Sequence, residues 1–141
     1  MAKVTSLGGI LFKCDDPNAQ NEWYRTHLGL QTGEYGTSFI WRKHGHPEQT
    51  GLTVWSPFKK DTKYFAPSES SFMINFRVDN LDELLAQLKA QGVEQVGEVQ
   101  DYDYGRFAWI MDPEGNKIEL WQPVENESED SLGNDITGVG Y

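Results

Sequence analysis

Cysteine is nearly missing from this chain. Cys14 is the single one, so no internal disulfide can form, and a reducing cytoplasm is the expected compartment. Positive charge is scarce as well. Twelve Lys and Arg stand against 22 Asp and Glu, a formal charge of -10, which leaves no basic stripe to displace counterions from nucleic-acid phosphates. Long apolar runs are absent too: nothing approaches the roughly 18 residues that a membrane-spanning helix needs. The start, MAKVTSLGG, has no apolar core of a signal peptide. Neither nucleic acid nor a membrane is therefore expected as a partner.

What is present fits a compact domain. The 141 residues are 38% hydrophobic and 13% aromatic, enough to build a core in one domain or in two small modules. Glu125, Glu127, Glu129, Asp130 and Asp135 crowd into the last stretch, which has no Lys or Arg, so residues 125–141 read as a solvated acidic tail or one that drapes over a partner.

The chain repeats itself. GLTVWSPF (51–58) matches KIELWQPV (117–124), with Trp55 over Trp121 and Pro57 over Pro123, and YGTSFIW (35–41) matches YGRFAWI (104–110). A glycine after a helical stretch recurs at Gly29 and Gly92. Matching positions keep a near-constant offset, the mark of a duplicated structural unit. In the first unit an alternating stretch, Leu7 to Cys14, ends at Asp15-Asp16-Pro17, where Asp16 can cap a helix and Pro17 suits its first turn. A helix to about Leu28 and strands near 30–35, 37–43 and 51–57 are expected to follow. In the second, Phe72 to Asp79 leads to Asn80 and Glu83 at capping-box spacing. Leu81, Leu84, Leu85 and Leu88 then repeat at helical spacing. Strands near 93–101, 105–111 and 116–122 complete it, with Asp112 to Asn116 as a hairpin turn. Each unit reads as β-α-β-β-β, giving an α+β fold: tandem modules forming a cupped mixed sheet with helices on its outer face.

Alternation along the strands separates the faces. Ile10, Phe12, Cys14, Ile74, Phe76, Val78, Ile118 and Leu120 form an apolar set expected under the helices, with Cys14 a small buried hydrophobe. The opposite set is Gly9, Leu11, Lys13, Met73, Asn75, Arg77, Lys117, Glu119 and Trp121. Apolar groups and charges of both signs are mixed there, as in a ligand cavity. Glu119 is thus expected to face a wet hollow near Arg77, Lys13 or Lys117, or to form a structural ion pair with Arg77 across strands. Trp41, Trp55 and Trp109 on strands, and Tyr64 and Phe65 in the intervening link, add rings suited either to core packing or to a flat guest. Arg106 can close on an anionic group or lie on a solvated rim. His44 and His46, an H-x-H in a polar turn, and His27 on the first helix are read as surface residues.

These modules, together with RVDNLDELLAQLKAQGV (77–93) and DPEGNKIELWQP (112–123), resemble the vicinal oxygen chelate superfamily, which includes glyoxalase I, extradiol dioxygenases and bleomycin-resistance proteins. The resemblance spans about residues 4–124, as modules 4–58 and 71–124 with a link at 59–70. It implies a metal held on the cavity face by the first and last strands of each module. Carried to this sequence, the ligand positions are Gly9, Thr53, Met73 and Glu119. Only Glu119 is a strong ligand, so no metal or other cofactor is expected. The resemblance also implies a homodimer. Together these features predict a protein that binds a small organic molecule through Glu119, Asn75, Arg77, Lys13, Arg106, Trp41, Trp55, Trp109 and Trp121. The alternative is a lyase, isomerase or dioxygenase using Glu119 as base or metal ligand.

Overall fold

The computed structural model describes residues 1–124; the acidic tail, residues 125–141, lies outside the described residues. In chain order the elements are β1 (Val4–Cys14), α1 (Pro17–Leu28), β2 (Thr37–Lys43), β3 (His46–Lys59), β4 (Phe72–Val78), α2 (Leu81–Ala90), β5 (Gln100–Tyr102), β6 (Gly105–Met111) and β7 (Lys117–Pro123). The strands form one seven-stranded sheet in the order β2-β3-β1-β4-β7-β6-β5. β1 and β4 pair antiparallel at its centre, so the two modules join within one chain. Each central strand takes the last strand of its own module as a parallel neighbour, β3 beside β1 and β7 beside β4. The α+β fold with a mixed sheet is as the repeat implied.

Local chemistry sets the element ends. Asp16 accepts a hydrogen bond from the Ala19 amide at 3.1 Å, which caps α1 with Pro17 in its first turn. Asn80 does the same for α2 through the Glu83 amide at 3.0 Å. In the β6–β7 turn, Asp112 Oδ1 accepts from the amides of Glu114 (2.9 Å) and Asn116 (2.8 Å).

Two expected strands are mostly not formed. The stretch near 30–35 has only an isolated bridge between Gly33 and Gly36, because its backbone closes on itself through Thr32 N to Leu30 O and Gly33 N to Gly36 O. The stretch near 93–101 keeps a bridge from Gln95 to Ile110 and the short β5. Gly97, at φ +70°, interrupts it between those two pieces.

The two faces pack differently. On the outer face, Val78, Ala108 and Leu120 are buried against Leu81 and Leu84 of α2, with Phe76, Leu85 and Ile118 around them. Burial of each large apolar side chain there stabilises the fold by about 1.5–3 kcal/mol. The first module is less well covered. α1 lies over β3, where Tyr24 meets Trp55 with ring centroids 4.5 Å apart, and Ile10 on β1 stays 40% exposed. Cys14 is only part-buried, and burial raises its thiol above the ordinary range. On the inner face, Leu11, Leu52, Phe65, Met73, Phe107, Trp109 and Trp121 form a second cluster. Among the described residues, no helix is long and apolar enough to cross a membrane.

Candidate functional site

Strand register assembles the site. Gly9 of β1 pairs with Val54 of β3 and Asn75 of β4, Asn75 pairs with Glu119 of β7, and Glu119 pairs with Trp109 of β6. Residues paired across strands share a face, so these five form one row across the concave side. Glu119 is 4% exposed and Asn75 3%.

A carboxylate this buried must be met by donors. Glu119 Oε1 accepts from Asn75 Nδ2 at 2.6 Å, and Oε2 accepts from Trp109 Nε1 at 3.0 Å and from the Tyr64 hydroxyl. All three donors are neutral. Asn75 is placed by a close approach of backbone: a Cβ on Gly8 would lie 1.9 Å from Asn75 Oδ1 and 3.0 Å from Arg77 Cγ. That Oδ1 has no hydrogen-bond partner among the described residues.

The counter-charge sits behind the rings. Lys117 Nζ donates to the Tyr64 carbonyl at 2.8 Å and lies 5.5 Å from the Tyr64 ring centre and 5.6 Å from that of Trp109. Its burial lowers the ammonium below the usual lysine range, and the negative Glu119 works in the opposite direction. Burial, and after it the charge of Glu119, pushes the Tyr64 hydroxyl well above the ordinary phenol range. Tyr64 is 38% exposed while its hydroxyl bonds Glu119, and a phenol held above its ordinary range stays a neutral donor.

Glu119 and Asn75 line a cavity of about 500 Å³. Gly8, Gly9 and Val54 form one side of it, and Tyr35, Phe58, Tyr64, Tyr102, Tyr104, Phe107 and Trp121 bring aromatic rings to its wall. Tyr102 and Tyr104 stack at 5.4 Å, as do Phe107 and Trp121 at 5.8 Å. Among the described residues, Glu119 is the only charged side chain in the lining.

Of the residues predicted for the site, Glu119, Asn75, Trp109 and Trp121 are brought together here. The others lie elsewhere. Arg77, 3% exposed, is held between the rings of Trp41 and Trp121 at 5.0 Å from each and donates to the Leu52 carbonyl at 3.3 Å. It and Trp41 border a separate cleft of about 700 Å³ that also includes Lys43, His44 and His46. Trp55 faces α1, packed on Phe12 and Tyr24. Lys13 lies over the Phe65 ring at 5.4 Å. Arg106 pairs with Asp101 at 2.7 Å and Asp82 at 2.9 Å on the α2 side of the sheet. Tyr102, Tyr104 and Phe107 are site residues that the strand pattern did not single out; their spacing in YDYGRF was the available signal.

The superfamily's metal does not fit these residues. Gly9 offers no donor atom and Met73, 0% exposed, only a thioether. Thr53 uses its hydroxyl to bond the Leu7 carbonyl and accept from Trp41 Nε1, both at 2.8 Å, and Val54 lines the cavity in its place. Both Glu119 oxygens are already engaged. Among the described residues no group of three or more His, Cys, Asp or Glu is placed to hold a metal ion.

Comparison with known proteins agrees with this architecture. The profile of the Glyoxalase-like domain matches residues 9–121, most of the chain. The chain belongs to the glyoxalase-like domain family. Among solved structures, this glyoxalase-like chain is similar to a variant of Streptomyces coelicolor methylmalonyl-CoA epimerase in complex with 2-nitronate-propionyl-CoA, with a TM-score of 0.65 and 18% identity over 89% of this chain and 99% of that one. It is also similar to methylmalonyl-CoA epimerase from Mycobacterium tuberculosis, with a TM-score of 0.56 and 21% identity over 86% and 89%. The Mn(II)-bound glyoxalase from Novosphingobium aromaticivorans gives a TM-score of 0.59 and 17% identity over 86% of this chain and 40% of that one. At these identities the likeness is one of fold. No curated protein matches this glyoxalase-like chain.

Proposed function

We propose that this glyoxalase-like protein holds a small organic molecule in the Glu119 cavity and does so without a metal ion. The observation that carries the reading is a single buried carboxylate, bonded only to neutral donors, at the wall of an aromatic-lined cavity of about 500 Å³. That volume lies in the range of small-molecule sites, and an apolar wall with few convergent polar groups is their usual chemistry. A ligand N–H or O–H can take the place of the Tyr64 hydroxyl on Oε2. The poor donor set at Gly9, Met73 and Val54 supports the metal-free part of the reading.

Thermal shift of the purified protein with Mn²⁺, Zn²⁺ and Ni²⁺, run beside a panel of small planar organic molecules, tests both parts. Saturable stabilisation is expected from members of the organic panel and from none of the ions. Saturable stabilisation by an ion that Glu119→Gln removes would overturn the metal-free reading.

The same carboxylate supports a second reading, proton abstraction from a bound carbonyl compound, because Glu119 is the carboxylate that lines the cavity. Deuterium incorporation from solvent into a bound panel member, lost in Glu119→Gln, would favour it over binding alone.

Self-association fits the outer surface. Val4, Leu7, Ile10 and Phe72 are 40–45% exposed on β1 and β4, an apolar surface that supports the homodimer reading. Sedimentation velocity of the wild type against Ile10→Lys tests it, with a shift to monomer expected in the variant.

A further inference from the structure

The cavity's charge and its rings point the same way. Among the described residues its lining has one charged group, the Glu119 carboxylate, and no Lys, Arg or His. The nearby ammonium of Lys117 is turned to the Tyr64 carbonyl and to the backs of the Tyr64 and Trp109 rings, and it does not line the cavity. The same cavity is lined by the rings of Phe58, Tyr64, Tyr102, Tyr104, Phe107 and Trp121. An aromatic ring presents a negative face, and rings grouped about one point attract a cation that has shed its water, a quaternary or protonated amine above all. Tyr102 and Tyr104, stacked on each other with 7° between their planes, both belong to that lining, and aromatic side chains of this kind suit a planar frame. The formal charge of -10 adds a long-range attraction for the same sign of ligand.

A neutral guest would gain the apolar contacts alone. An anion would meet both the carboxylate and the negative ring faces, at a site whose donors, Asn75 Nδ2, Trp109 Nε1 and the Tyr64 hydroxyl, are already committed to Glu119.

We propose that the molecule accepted beside Glu119 is an organic cation: a quaternary or protonated amine carried on a flat apolar frame. This rests on the reading of the cavity as a small-molecule site, and the test separates the two. Three probes of nearly equal size are titrated by tryptophan fluorescence and thermal shift: N-methylquinolinium, neutral 1-methylnaphthalene and anionic naphthalene-1-carboxylate. Because the first carries a permanent charge, its own titration does not confuse the result.

N-methylquinolinium is expected to bind at least about tenfold more tightly than the neutral probe, with the anion weakest. Glu119→Gln should bring the cation and the neutral probe close together. Tyr102→Leu, at a residue 51% exposed and so dispensable to the core, should weaken the cation about threefold and the neutral probe less. Because Tyr102→Leu leaves the buried centre intact, the test survives if Glu119→Gln fails to fold. Equal binding of cation and neutral probe, or preference for the anion, would overturn the cation assignment and leave the cavity reading standing. If none of the probes binds at millimolar concentration, the cavity reading falls and the assignment falls with it.

Discussion

The two modules share a plan and divide the work. From the first come space and an apolar wall without charge: Gly8 and Gly9 on β1, Val54 and Ser56 on β3, with the rings of Tyr35 and Phe58 beside them. From the second comes the chemistry: Asn75 on β4, Trp109 on β6, Glu119 and Trp121 on β7. Even their equivalent tryptophans differ. Trp121 turns inward with its indole bonded to the Tyr104 carbonyl at 3.1 Å, whereas Trp55 turns outward onto α1. Two units of one plan thus differ on their inner faces: the first brings no charged group to the cavity lining, and the second brings Glu119. The absence of side chains at Gly8 and Gly9 in one half leaves room beside the buried charge in the other.

Substitutions can break or sharpen that division, and the largest effect is expected at its centre. Glu119→Leu leaves the donors of Asn75, Trp109 and Tyr64 without an acceptor and Lys117 without its counter-charge, so urea denaturation should show a loss of about 3–5 kcal/mol. A loss below about 1 kcal/mol would mean that the carboxylate is incidental to the second module.

The next effect tests whether the first module's role is space. In Gly8→Ala the new Cβ meets Asn75 Oδ1 and Arg77 Cγ, both on buried side chains, and a destabilisation of about 2 kcal/mol is expected by the same measurement. A neutral result would show that β4 can retreat and that the cleared wall is not required. Smaller still, Tyr64→Phe and Trp109→Phe each delete one donor to Glu119 and should cost about 1 kcal/mol apiece. Their double mutant is expected to be non-additive, since both bond the same Oε2.

The least effect separates the two hairpin turns by pH. The β6–β7 turn depends on Asp112, whose carboxyl is held below the ordinary carboxylate range first by the Asn116 side-chain amide and then by backbone amides. The β2–β3 turn, through His44, has no such carboxylate. A depressed folded pKa means that the unfolded chain binds more protons in acid, so Asp112 stabilises fully above its unfolded value of about 3.9 and less as pH falls through its folded value. Asp112→Asn should therefore flatten the stability profile below about pH 4. Removal of Glu48, which faces His46 at 3.7 Å with both side chains exposed, should leave it unchanged.

Much of this was readable from residues. Period-two alternation in MINFRVD and KIELWQP set Asn75, Glu119 and Trp121 on one face, because both strands run without a bulge and lie parallel in register. The caps at Asp16 and Asn80 were legible because each is a local contact of three residues. Alternation lost its phase where the strand was irregular. β1 shifts register between Leu7 and Gly9, and a duplicated sequence gave no sign that Trp55 and Trp121 face opposite ways. Tyr64 was visible as an aromatic in the link, but no periodic rule connects a link to a strand, so its bond to Glu119 could come only from three dimensions. Arg77 was placed on the correct face, yet its guanidinium lies between two indoles and bonds the Leu52 carbonyl, a position that alternation along one strand cannot specify.

Tyr64 belongs to neither copy of the unit, since it stands on the tether that joins them. If the halves were supplied as separate polypeptides, they could still dock along the β1–β4 seam. Their buried acid would keep this partner only if one of the two pieces carried the stretch that includes Tyr64. The tether thus supplies more than proximity: it carries a hydroxyl into the hollow.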